Sequence, residues 1–176
     1  MATDTASTDK NNLERVYDNL VNIWTSGIRD YHSLLSDYLT ANSIFVAAIG
    51  FLVARQPVTI IFTLLTLVLC CFGILMTLQM AIVLGRFAAQ NAVWEWHLRG
   101  IESRFNWPHH KLFVDLHRFR DQHRSLENEH NDPTVLNPNW ATRQHRQWWA
   151  RREISFPLFF ASVYALFFIW GISQLF

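Results

Sequence analysis

Thr59 to Gly85, TIIFTLLTLVLCCFGILMTLQMAIVLG, contains no charged residue, and it decides the fold. A helix of that length measures about 40 Å, more than the ~30 Å hydrocarbon core of a bilayer. It therefore reads as a tilted transmembrane helix. The composition agrees, since 51% of the 176 residues are hydrophobic and 16% charged, whereas a soluble domain carries about a quarter charged. The apolar residues also come in blocks, not spread as a water-facing fold requires.

Upstream, Arg55 closes a shorter apolar segment, Ala41 to Ala54, and Gln56 with Pro57 supplies a turn. That segment reaches the ~20 residues of a span only if residues from about Ser33 are counted in. The short connection makes the two spans a tight antiparallel hairpin. Further upstream, Leu13, Tyr17, Leu20, Trp24, Ile28, Tyr31, Leu35 and Tyr38 recur in steps of four and three, one face of an amphipathic helix suited to the headgroup level or to a partner helix. Gly27 after Ser26 suggests a bend. Met1 to Lys10 is polar and lacks the features of a secretory signal or transit peptide, so the first hydrophobic helix is expected to act as its own signal.

Downstream of Arg86, Trp94, Trp96, Leu98 and Ile101 fall among charges, so the helix is expected to run on until Trp107-Pro108. A second amphipathic helix fits His109 to about Glu129, a loop Asn131 to Asn139, and a short basic aromatic helix begins at Trp140. A last span covers Phe156 to Phe176, with Pro157 in its first turn, where proline is harmless. The expected fold is an all-α integral membrane protein. Its parts are a disordered stretch 1–12, an amphipathic helix 13–40, a transmembrane hairpin 41–85, a helical cytoplasmic segment 86–154 and a third transmembrane helix 155–176.

Orientation follows from the cations. Arg86, Arg99, Arg104, Lys111, Arg118, Arg120, Arg124, Arg143, Arg146, Arg151 and Arg152 lie between the second and third spans, and Arg55 alone flanks the other side. The positive-inside rule puts residues 86–154 and the N-terminus in the cytoplasm and the C-terminus outside.

Within the decisive span, Thr59, Thr63, Thr66, Cys70, Gly73 and Thr77 form one row of small, weakly polar residues, continued by Ala81. Such a row either lets helices pack closely or lines a channel between subunits. No Asp, Glu, His, Lys or Arg falls inside the apolar runs 41–54, 59–85 and 156–176, which argues against a proton-coupled transporter or an intramembrane haem anchor. Asn42 and Gln79 read as polar links between helices. Cys70 and Cys71 are neighbours, too close for an ordinary disulfide. No cofactor and no catalytic residue is indicated.

Seven of the eight histidines lie in the segment after Arg86. On a continuous helix His123, Glu127 and His130 would share a face, and Arg118 with His123, or Arg124 with His130, resembles the spacing of HEPN-type ribonucleases. A metal site or nucleic-acid chemistry there is the alternative to solvated helix faces. The run Arg143, Arg146, Trp148, Trp149, Arg151 and Arg152 suits an interfacial anchor on anionic lipid better than RNA stacking.

The stretches RDYHSLLSDYLTANSIFVAAIGFLVA (29–54) and VWEWHLRGIE (93–102) flank the hairpin. Over Asn19 to Glu102 this layout resembles the small RipA-type bacterial membrane proteins, described as octameric, and less closely the membrane accessory proteins of type VI CRISPR loci. The resemblance implies a homo-oligomer of the bacterial inner membrane, a ring around a pore with the cytoplasmic segments as a crown. It carries over no functional residue. The expected function is thus a non-enzymatic, self-associating membrane protein, a pore or a scaffold, with the bilayer as its medium. An accessory subunit of another membrane complex is the further alternative.

Overall fold

The structure is a computed structural model that describes residues 2–55, 59–104, 111–127, 135–140, 144, 147 and 150–176, with side chains from Asn12 onward. Pro57, Trp107 and Pro108, and His109, His110, His130 and His145, lie outside the described residues, as do Arg143, Arg146, Trp148 and Trp149. Helix α1 runs Ala2–Ala54, α2 Ile60–Arg104, α3 Leu112–Arg120 and α4 Arg152–Ser173. Strands β1, Leu126–Glu127, and β2, Val135–Leu136, pair antiparallel with Leu126 opposite Leu136. Helices α1, α2 and α4 are long and apolar enough to cross a membrane.

The sequence reading expected a disordered stretch 1–12 and a loop Asn131 to Asn139, whereas α1 already begins at Ala2 and β2 lies in that loop, paired with β1; three further differences have a local cause. First, α1 passes unbroken through Gly27. A Cβ there would run into the Trp94 ring and come within 2.9 Å of Asn91 Oδ1, so this glycine permits a close approach and makes no bend. Second, the helix expected from His109 to about Glu129 is shorter. α3 stops at Arg120, His123 takes a left-handed conformation at φ 55°, and the Arg124 N–H returns to the Arg118 carbonyl. Third, α4 begins at Arg152 instead of Phe156, which makes Pro157 its sixth residue. Pro157 therefore cannot donate to the Glu153 carbonyl, a bond that a first-turn proline would not owe.

The chain divides into two compact units, residues 1–29 with 89–150 and residues 30–88 with 151–176. In the second unit α1 and α4 run parallel and α2 antiparallel to both. One core cluster joins Ile49, Cys70, Phe160 and Tyr164, and another joins Leu35, Met80 and Leu84 with Tyr31, Tyr38 and Phe156 around them. Burying apolar side chains gains little against lipid tails, so close packing and polar contacts hold such helices together.

The first unit is held by a buried acid. Glu102, 1% exposed, accepts the Tyr17 hydroxyl at 2.7 Å and the backbone N–H groups of Phe113 and Val114 at 3.1 and 2.8 Å. Those amides open α3, so the carboxylate caps a helix whose own N-cap residue, Lys111, provides no side-chain bond. Phe113, 2% exposed, meets the Trp24 ring edge-on at 5.0 Å between centroids. The aromatic face of α1 thus packs within the chain. Glu102→Ala removes the acceptor of the Phe113 and Val114 amides, at about 1–3 kcal/mol for the buried one. Hydrogen exchange should show α3 amides exchanging faster in that variant and the amides of α4 unchanged.

Candidate functional site

The row on α2 is laid out by helical periodicity. Thr63, Thr66, Cys70 and Thr77 are 2% exposed or less and Gly73 is buried, while Thr59 at the helix start is exposed. Cys70 packs with Ile49 of α1 and with Phe160 and Tyr164 of α4 of the same chain. A Cβ on Gly73 would lie 2.5 Å from the Tyr164 ring, so the glycine is a notch that the ring fills. Thr63 donates to the Thr59 carbonyl at 3.3 Å and Thr77 to that of Ile74 at 2.7 Å. These hydroxyls are satisfied within their own helix and need no water.

Opposite the notch, the Tyr164 hydroxyl lies 2.9 Å from Asn42 Oδ1 and 3.2 Å from the Asn42 carbonyl, donating to that pair of oxygens. Asn42 Nδ2 in turn donates to the Tyr38 carbonyl at 2.8 Å. Both side chains are buried, so this chain of bonds ties α1 to α4 where solvent cannot compete. Gln79, read from sequence alongside Asn42 as a link, is exposed on the outward side of α2. Tyr164 carried no sequence signal of its own, being one ring in a phenylalanine-rich helix.

The first unit contains the charged network. Arg120 donates to Glu95 at 3.2 and 2.6 Å and also to Asp121, whose Oδ2 lies 2.7 Å from His117 Nδ1. The Glu95 hydrogen bonds hold the Arg120 guanidinium above its usual range against the opposing effect of burial. Burial raises the Asp121 carboxyl, but bonds from Arg120 and His117, with their charges, outweigh it and leave it below 3.8. Burial, then the Glu102 contact, push the Tyr17 phenol up.

The histidine arrangement read from sequence required one continuous helix. With α3 ending at Arg120, His123 sits in the following turn and Glu127 on β1, and Arg118 pairs with Asp115 at 3.6 Å. Among the described residues no three His, Cys, Asp or Glu side chains gather as a metal-holding group. A groove of about 340 Å³ lies between Trp96, Arg99, Ser103, His117 and Arg118. Of the expected interfacial run, Arg151 and Arg152 are described, and both are exposed at the start of α4.

A family model described as the octameric membrane protein family matches residues 14–173. The match takes in all three long helices, beyond the Asn19 to Glu102 stretch that carries the resemblance in the sequence. No curated protein and no solved structure matches the chain.

Two outcomes follow from the geometry. Tyr164→Phe removes the donor to Asn42 Oδ1 and should cost about 1 kcal/mol, seen as a lower melting temperature in detergent with unchanged helix content. Asp121, titrating below its unfolded value, stabilises the first unit above about pH 4 and loses that contribution as pH falls through its folded value. Acid should therefore loosen α3 below about pH 4 and have no effect through this group near neutrality. Asp121→Asn should remove that acid step from a pH series of hydrogen exchange.

Proposed function

The chain belongs to the octameric membrane protein family, and from that premise we propose that it works as a homo-oligomeric pore or scaffold formed between copies, not within one. The observation that carries this is the burial of the α2 row beyond Thr59. Thr63, Thr66 and Thr77 are buried within the chain, and Cys70 and Gly73 meet the interior that Ile49, Phe160 and Tyr164 fill. A passage inside one chain would have to displace that packing. A passage between copies leaves it intact. In this reading the row serves helix packing within the subunit, and pore lining falls to another surface.

The excess of arginine after Arg86 supports an orientation with the N-terminus and residues 86–154 on the cytoplasmic side of a bacterial inner membrane, the C-terminus beyond it. Arg151 and Arg152, exposed where α4 begins, suit contact with anionic headgroups at about 1 kcal/mol each. The segment with Glu102 and Arg120 then forms a crown of charged and aromatic surface.

The test is the mass of the detergent-solubilised protein by light scattering with the detergent subtracted, joined to ion flux from liposomes. A protein mass eight times that of one chain, with flux, supports a pore. The same mass without flux supports the scaffold. A monomer overturns both, and a partner that co-purifies with it would identify an accessory subunit.

A further inference from the structure

We propose that the groove between α2 and α3 binds a phosphate-bearing small molecule, held by Arg99, Arg118 and His117. All three belong to the first unit, and the site stands apart from the assembly of copies proposed above.

Trp96, Arg99, Gly100 and Ser103 share one face of α2 by their spacing, and Val114, His117 and Arg118 share one face of α3. Together they enclose the groove of about 340 Å³, a volume within the range of small-molecule sites. Gly100 lines it and has nothing within 4 Å of the place a Cβ would take. Gly27 and Gly73 each make room for an aromatic ring, whereas Gly100 makes room for no protein side chain. Glycine inside a helix costs about 1 kcal/mol relative to alanine, and here it leaves the backbone open to whatever enters the groove.

The groups around that opening are cationic. Arg99 uses its Nε on the Glu95 carbonyl at 3.4 Å, and its two terminal nitrogens have no partner among the described residues. Arg118 has Asp115 at 3.6 Å, with the two side chains 52% and 41% exposed, a loose pair that yields readily to a better anion. His117 Nδ1 lies 2.7 Å from Asp121 Oδ2. Asp121 does not line the groove, so it fixes the imidazole from outside and leaves Nε2 for a ligand. No carboxylate lines the groove among the described residues.

Two guanidinium forks and an imidazole match a phosphate monoester, which brings about −1.5 to −2 charges at neutral pH and three acceptor oxygens. A carboxylate ligand has one charge and two oxygens, and would leave one of the three groups unmatched. Trp96 is 63% exposed and gives the organic part of the ligand a broad aromatic surface. That part is a nucleoside if the ligand is soluble and a glyceride if it is a lipid headgroup.

The experiment places the full chain in phosphatidylcholine nanodiscs, with or without phosphatidic acid, and titrates adenosine monophosphate and inorganic phosphate by calorimetry. Saturable binding of the nucleotide is expected, and Arg99→Gln and Arg118→Gln should each weaken it about tenfold. Gly100→Met, which fills the groove without meeting protein, should abolish it. Arg29→Gln, exposed in the same unit but off the groove, should leave it unchanged. Hydrogen exchange of the α3 amides in each variant separates lost binding from lost structure. Trp96→Ala weakening the nucleotide but not inorganic phosphate identifies the soluble source. A melting temperature raised by phosphatidic acid in the unaltered chain but not in Gly100→Met identifies the headgroup. Binding that Arg29→Gln weakens as much as Arg99→Gln would be diffuse charge attraction and would overturn the site. So would the absence of binding by both probes together with equal melting temperatures in the two nanodiscs.

Discussion

A bilayer offers no hydrogen bonds, so any polar group at its depth must find a partner in protein. The Tyr164 hydroxyl beside the two Asn42 oxygens is where this chain meets that demand most directly. The rest of the span unit is arranged around it. Gly73 leaves room for the ring, Cys70 and Ile49 close over it, and Thr63 and Thr77 of α2 turn their hydroxyls to carbonyls of their own helix. These polar groups are thereby satisfied within protein.

The first unit solves a different problem. It carries many charges, and exposed ion pairs contribute little on their own. The organising group is instead an acid withdrawn from water, Glu102, which spends both oxygens on α3 and Tyr17. Arg120 performs a second version of this at Glu95 with its two terminal nitrogens, the two-pronged geometry that suits guanidinium. Both are contacts between residues far apart in sequence, so they fix where a short helix lies and not merely that it forms.

Much of the architecture was legible because it depends on periodicity and length. The uncharged run Thr59 to Gly85, the Leu13 to Tyr38 face and the apolar C-terminal block each announce a helix, and the structure has all three. The row Thr63 to Thr77 was equally visible, but which partner it faces depends on tertiary packing that spacing does not encode. Tyr164 and Glu102 were hidden for a related reason: one aromatic among phenylalanines and one acid among charges look ordinary until their partners are known. The His123 and Glu127 pairing failed because it assumed a helix that ends at Arg120, where a left-handed residue rather than a proline or glycine turns the chain.

The fit of the Tyr164 ring over Gly73 has a consequence for descent. Neither position can change freely, because a side chain at 73 occupies the space of the ring, and a smaller residue at 164 leaves a void and takes the donor from Asn42 Oδ1. Glycine, tyrosine and asparagine are therefore a coupled trio, one from each helix. Lineages that alter one should alter the others together, so that drift elsewhere in the spans leaves this combination as the most persistent mark of the fold.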